Sequence, residues 1–284
     1  MKLVTYRDSE GRARVGAVQD DHIVALPAVG SMLELIEVGP DAVTAARRAL
    51  LEPADSIPLS GVKLLAPIPH TPKNIMCVGL NYLEHIEESQ SASARPDVPV
   101  FFTKPPTAIA PPESEIPYPT ATRELDYEVE LAVVIGRRGK NIPRDEALDY
   151  VFGYTIINDI TARDLQRKHG QWFKGKSLDL TCPMGPWIVT TDEIPDPGEL
   201  DIISRVNGEV RQQSNTRHMI FDVAEIISSL SAGMTLEPGD VIATGTPSGV
   251  GMGFSPPRYL QVGDTVECEV QGIGVLRNTI GPRE

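Results

Sequence analysis

The chain is 284 residues long, enough for one large domain or a domain with a small appendage, and its 41% apolar content can build a sizeable core. A formal net charge of -13 with scattered basic residues argues against a nucleic-acid binder, which needs clustered lysine and arginine. No apolar run approaches a membrane span, the N-terminus lacks a signal-peptide core, and Cys77, Cys182 and Cys268 form no CxxC pair, so a cytoplasmic protein with free thiols is expected and a zinc ribbon is excluded.

Residues 1 to about 66 read as a small α+β unit. Leu3–Tyr6, Arg14–Val18 and His22–Leu26 are short apolar strands with polar turns between them, and residues 41–51 read as a helix with Asp41 near its start. The stretch Ala66–Pro72 holds three prolines and reads as a stiff linker, so the expected division is 1–70 and 71–284. Beyond it the pattern is mostly β. Strands are predicted at 75–78, 98–103, 127–135, 153–158, 187–190, 202–206, 241–244 and 266–270, with helices over 161–169 and 222–231.

The chemistry begins in residues 124–136. Polar and apolar residues alternate, which puts Asp126, Glu128 and Glu130 on one strand face. Three carboxylates so placed repel one another unless water or a cation separates them; a solvated outer face is the plainer alternative. A second signal tilts the balance. The apolar strand 153–158 ends in Asp159, just before a predicted helix carrying Arg163 and Gln166, although Asp159 could simply cap that helix. Carboxylates from two strands, without His or Cys, make a hard oxygen site. It suits Mg²⁺ or Mn²⁺, with Ca²⁺ also acceptable, and leaves coordination positions for a chelating substrate.

These segments lie within an ordered set. It runs from Cys77-Val78-Gly79-Leu80-Asn81-Tyr82 with His85, through Phe101-Phe102-Thr103-Lys104-Pro105, Asp126–Leu131, Asn158–Gln166 and Gly175-Lys176-Ser177, to Gly245–Gly251. The set resembles the fumarylacetoacetate hydrolase family, in particular its smaller bacterial acylpyruvate hydrolase and 2-hydroxyhepta-2,4-diene-1,7-dioate isomerase branch. The resemblance covers about two thirds of the chain. It implies an α+β, mostly β fold, a mixed β-roll with the small N-terminal unit attached, usually as a homodimer. It also implies that Glu128, Glu130 and Asp159 bind the metal, with Asp126 outside the set, and that Arg163, Gln166, Lys176 and Thr246 face the substrate.

His85 and Glu88 are spaced i, i+3, so on a helix Glu88 can orient the imidazole. Spacing alone favours an incidental surface pair; the resemblance implies a catalytic one, carried on a lid over residues 88–96, with Lys176 holding developing charge. The implied activity is metal-dependent C–C hydrolysis of a small 2,4-dioxo acid, an acylpyruvate such as fumarylpyruvate or a diketo sugar acid, as in aromatic catabolism. The alternatives are oxaloacetate decarboxylation, tautomerisation (isomerisation) or lyase chemistry on a 2-oxo acid.

Two glycine-rich stretches compete for attention. Gly170–Ser177 fits the phosphate-loop pattern G-x-x-x-x-G-K-S, but a charged helix precedes it where a buried strand is required, so it reads as coincidence and no nucleotide is expected. Gly245–Gly253 lacks a dinucleotide-binding context and reads as a loop that brings backbone close to a ligand.

Overall fold

A computed structural model describes residues 1–53, 56–88 and 95–284. Most of the lid expected over 88–96 therefore falls outside the described residues.

The architecture is mostly β. Ten strands form the path of a long sheet, in the order Ser56–Pro58, His22–Ala25, Ala13–Gln19, Lys2–Arg7, Cys182–Thr190, Val151–Asn158, Val129–Ile135, Val241–Ala243, Ile75–Gly79 and Val100–Lys104. Neighbours are antiparallel except Val241–Ala243 beside Ile75–Gly79, which run parallel. A second sheet of five strands carries Glu209–Asn215, Asp201–Val206, Thr265–Val270, Gly274–Arg283 and Glu115–Tyr118.

The central strand Val129–Ile135 is buried on both faces, and its alternation shows how the layers stack. Val129, Leu131, Val133 and Ile135 join one core with Ile202, Val266, Leu276 and the helix Val223–Ser231. Ala132 and Val134 join a second core beneath the helices Met32–Val38 and Pro40–Leu51. Glu130 shares the parity of Ala132 and Val134, so it enters the end of this second core. That position exposes no charge to water and demands compensation.

The N-terminal strands extend the same long sheet, because Lys2 and Leu3 pair with Val189 and Ile188. The proline-rich stretch is packed down: Ala66 and Ile68 are buried, and the Thr5 hydroxyl donates to the Pro67 carbonyl at 2.6 Å.

Most predicted elements are present with shifted ends. Two departures have clear causes. The predicted strand over 127–135 is broken at Tyr127 and Glu128, because the Glu128 N–H is taken by the Asn158 side chain and that of Val129 by Gln212. The helix predicted from 161 starts at Arg163, since Thr161 and Ala162 pair with Asp126 and Leu125. Asp159 is thus no helix cap. No helix among the described residues is long and apolar enough to cross a membrane.

All three cysteines are free and buried. Burial raises every thiol pKa; Cys182 is pushed up to about 12 even though the Lys104 ammonium pulls the other way. Thiolate forms only as pH approaches such values, so at pH 8 a disulfide reagent should find no fast-reacting thiol in the native protein and three after denaturation. One fast native equivalent would contradict this burial.

Candidate active site

The site forms where the two sheet-borne carboxylate segments meet. The Asp159 N–H donates to the Glu128 carbonyl at 2.8 Å and Asn158 Oδ1 accepts from the Glu128 N–H at 3.0 Å, which locks the two segments in register. Among the described residues, Glu128, Glu130 and Asp159 each offer one carboxylate oxygen, all within 4.8 Å of one another, and all three are buried.

The carboxylates are held in place by ion pairs and backbone N–H groups. The Gly245 N–H donates to Glu130 Oε2 at 2.7 Å. Lys176 Nζ sits between Glu128 Oε2 at 2.5 Å and Asp159 Oδ2 at 2.6 Å. Arg163 donates from Nη2 to Glu128 Oε1 at 2.6 Å, from Nε to Asp126 Oδ2 at 2.8 Å and from Nη1 to Gln166 Oε1 at 3.2 Å. Asp126 also accepts the N–H groups of Gly251 and Met252, so it clamps Arg163 to the glycine loop and stays out of the triad.

The electrostatics follow from burial against charge. Burial alone would raise the Glu128 pKa, but the Lys176 ammonium and the Arg163 guanidinium override it and hold the carboxyl well below its usual range. Glu130 goes the other way. Burial, then the Asp159 and Glu128 carboxylates, push it well above the usual range. Burial would lower Lys176, yet the Asp159 and Glu128 carboxylates raise it, so it stays an ammonium. A buried oxygen triad that disfavours its own full ionisation fits a hard divalent cation, which would relieve the repulsion.

Sequence reasoning gave Lys104 no role. It ends the strand Val100–Lys104, is fully buried, and its Nζ lies 2.7 Å from Asp159 Oδ1 and 3.1 Å from the Ile160 carbonyl. A lysine closing an apolar strand just before two prolines was the available signal.

A cavity of about 200 Å³ opens onto Glu128 and Glu130 of the triad, while Asp159 is not among its lining residues. His85, Glu128, Glu130, Arg163, Gln166, Lys176 and Thr246 all line it. Glu88 does not. His85 is buried on the helix Leu83–Glu88, and its Nδ1 lies 3.6 Å from Glu88 Oε2, a contact too long for a hydrogen bond. The Glu88 carboxylate instead accepts the Gly249 N–H at 2.9 and 3.1 Å. Thr246 is engaged twice, donating to the Val129 carbonyl and accepting from Gln212.

Both glycine-rich stretches serve packing. A Cβ at Gly175 would lie 2.6–2.7 Å from Gln166 atoms, so this glycine lets the turn Phe173–Lys176 press on the helix Arg163–Lys168 and aims Lys176 at the carboxylates. The loop 245–253 crowds protein groups more than a ligand: a Cβ at Gly249 would lie 2.0 Å from the Arg211 carbonyl, and one at Gly253 would lie 2.0 Å from Glu88.

The sequence model described as fumarylacetoacetate (FAA) hydrolase C-terminal matches residues 74–281. The chain belongs to the fumarylacetoacetate hydrolase family. This family member is 50% identical to oxaloacetate tautomerase YisK of Bacillus subtilis, over 89% of the chain and 87% of that protein. Its fold superposes on a fumarylacetoacetate hydrolase from psychrophilic Exiguobacterium antarcticum with a TM-score of 0.87, at 44% identity over 100% of both chains. It also superposes on maleylpyruvate hydrolase from Sphingobium sp. SYK-6, solved with manganese(II) and pyruvate, with a TM-score of 0.84 at 33% identity over 100% of both chains. The chain is thus a fumarylacetoacetate hydrolase family enzyme whose acidic triad can hold a divalent metal.

Lys104 offers a test of the network. Removing one partner of a buried ion pair strands the other, at a cost of about 3–5 kcal/mol. Lys104→Met should lower the unfolding free energy of the metal-free enzyme by that order, with Mg²⁺ restoring part of it in urea titrations. An unchanged midpoint would mean that Lys176 alone compensates Asp159.

Proposed function

We propose that the enzyme interconverts the keto and enol forms of oxaloacetate with a divalent cation held by Glu128, Glu130 and Asp159. The observation that carries this reading is the convergence of Glu128 and Glu130 of the triad, Lys176 and His85 on one small cavity, with Asp159 within 4.8 Å of both carboxylates. When bound, a divalent cation supplies a Lewis acid that the carboxylate and 2-oxygen of such an acid can chelate. Tautomerisation builds negative charge on that 2-oxygen, and Lys176 is the chain's own cation in the same space. Arg163 holds Glu128 and Asp126 in place, so its contribution is to orient the carboxylates. Gln166, itself held by Arg163, faces the cavity as a positioning group.

His85 is the group placed to move protons. Its Nδ1 faces Glu88, which leaves Nε2 for the substrate. In the enol-to-keto direction the 2-hydroxyl gives up its proton and C3 gains one, so no water is consumed and nothing leaves. Glu88, anchored by the Gly249 N–H, faces the ring at Nδ1 from 3.6 Å without reaching the cavity. The similarity to an oxaloacetate tautomerase at 50% identity favours this reaction.

A second reading is C–C hydrolysis of an acylpyruvate, where the same His85 would deprotonate water for attack on the distal carbonyl. The similarity to maleylpyruvate hydrolase and the buried His85–Glu88 approach favour it. The two readings share the cation and part at the need for water. A homodimer and a cytoplasmic location fit either.

The test follows decay of the oxaloacetate enol by ultraviolet absorbance, with Mg²⁺ and then with excess EDTA, alongside acetylpyruvate assayed for pyruvate and acetate. Enol decay that depends on Mg²⁺, with acetylpyruvate intact, is expected. His85→Asn should lose roughly 10²–10⁴-fold in turnover, the range of a general acid–base group, while Mg²⁺ affinity by calorimetry stays unchanged. Cleavage of acetylpyruvate with no effect on enol decay would replace the first reading by the second.

A further inference from the structure

One wall of the cavity is aromatic, and it carries one of the chain's two tryptophans. Trp172 is half-buried and lines the cavity, and its carbonyl accepts the Lys176 N–H at 3.1 Å. Residues four apart on a helical turn share a face, so the indole and the Lys176 side chain project together. The ring stands directly on Gly79: a Cβ there would lie 2.1 Å from Cζ3 and 2.8 Å from Cη2. Gly79 does not adopt the left-handed backbone, so space for the indole is what requires glycine at this strand end. Phe102 meets the indole edge-on, with centroids 5.5 Å apart and planes at 75°. Phe102 also lies under the Lys176 ammonium at 5.0 Å, which ties the wall to the charged floor. The cavity of about 200 Å³ is smaller than the roughly 300–1,000 Å³ of pockets for drug-sized ligands.

We propose that Trp172, seated on Gly79 and braced by Phe102, is the specificity-determining residue that limits the substrate's non-chelating arm to about the length of oxaloacetate's. The inference rests on the 2-oxo acid reading above. An acid with a bulkier arm, anchored at the triad by the same carboxylate and 2-oxygen, meets the indole.

The experiment compares kcat/KM for tautomerisation of oxaloacetate and of phenylpyruvate in wild type, Trp172→Ala and Trp172→Phe. Trp172→Ala should raise the phenylpyruvate-to-oxaloacetate ratio at least about tenfold, as relief of a steric limit in an apolar pocket does, and should bind Mg²⁺ as wild type does. Trp172→Phe, which keeps an aromatic ring on Gly79, should change the ratio by less than about threefold. In Trp187→Phe, where Trp172 is the one remaining tryptophan, Mg²⁺ with pyruvate should shift the emission. An unchanged ratio in Trp172→Ala overturns the assignment and leaves the tautomerase reading standing. If wild type turns over neither acid, that reading fails, and the emission decides the assignment: a shift supports contact at Trp172, and no shift overturns it.

Discussion

Four carboxylates gathered out of water are the constraint on which this site depends. Asp126, Glu128, Glu130 and Asp159 are all buried, and isolated buried carboxylates are strongly disfavoured. Three buried cations answer them: Lys104, Arg163 and Lys176. The pairing is specific, since Arg163 bridges Asp126 and Glu128, Lys176 bridges Glu128 and Asp159, and Lys104 takes the other Asp159 oxygen. Among the described residues Glu130 is the one of the four with no cation in direct contact, and it is the carboxyl driven toward protonation. A divalent cation in the triad would favour ionised Glu130 and leave the cluster with one net positive charge, a complement to an anionic 2-oxo acid. The same balance explains why a hard cation fits without histidine or cysteine donors.

The fold positions these groups by placing them at strand ends beside an interior that cannot yield. Glu130 continues the buried face of Ala132 and Val134, and Asp159 follows the last residue of a strand buried along its whole length. Residues in close-packed sheet layers have little room to relax. The cations come from different places: Lys104 from an outer strand, Arg163 and Lys176 from a helix and a turn packed against each other through Gly175. The floor of the site is therefore close-packed sheet, and two of its three cations ride on short elements.

What could be read from the sequence follows this division. The carboxylates of the site were legible because their signals are local, alternation over residues 124–131 and an acid closing an apolar strand, but alternation grouped Asp126 with Glu128 and Glu130, and only the resemblance left Asp126 out. The break at Tyr127–Glu128 was not, since it depends on the side chains of Asn158 and Gln212 reaching in from distant segments. Lys104 carried only a weak local mark, a lysine closing an apolar strand before two prolines, because its burial depends on Asp159, 55 residues further on. Lys176 was reached only through resemblance; taken by itself, its segment imitates a phosphate loop, and the glycine that completes the imitation is there to admit Gln166. The strand Glu209–Asn215 was missed because its polar sequence faces outward from the second sheet on alternate positions, where burial gives no apolar run.

The geometry also bears on how one family can host tautomerases, isomerases and C–C hydrolases. On the reading proposed above, the floor, made of triad and compensating cations, would stabilise negative charge next to a 2-oxo acid carboxylate whatever bond changes next. The groups that distinguish the reactions sit elsewhere. His85 comes from a six-residue helix, Glu88 is held by a loop glycine, and Trp172 of the aromatic wall stands at the start of a single helical turn. On the same reading, small differences there would decide whether His85 meets C3 or a water, and how long an arm the acid can carry. Divergence of reaction on a fixed charge cluster is then the expected consequence of building the floor from sheet and the walls from loops.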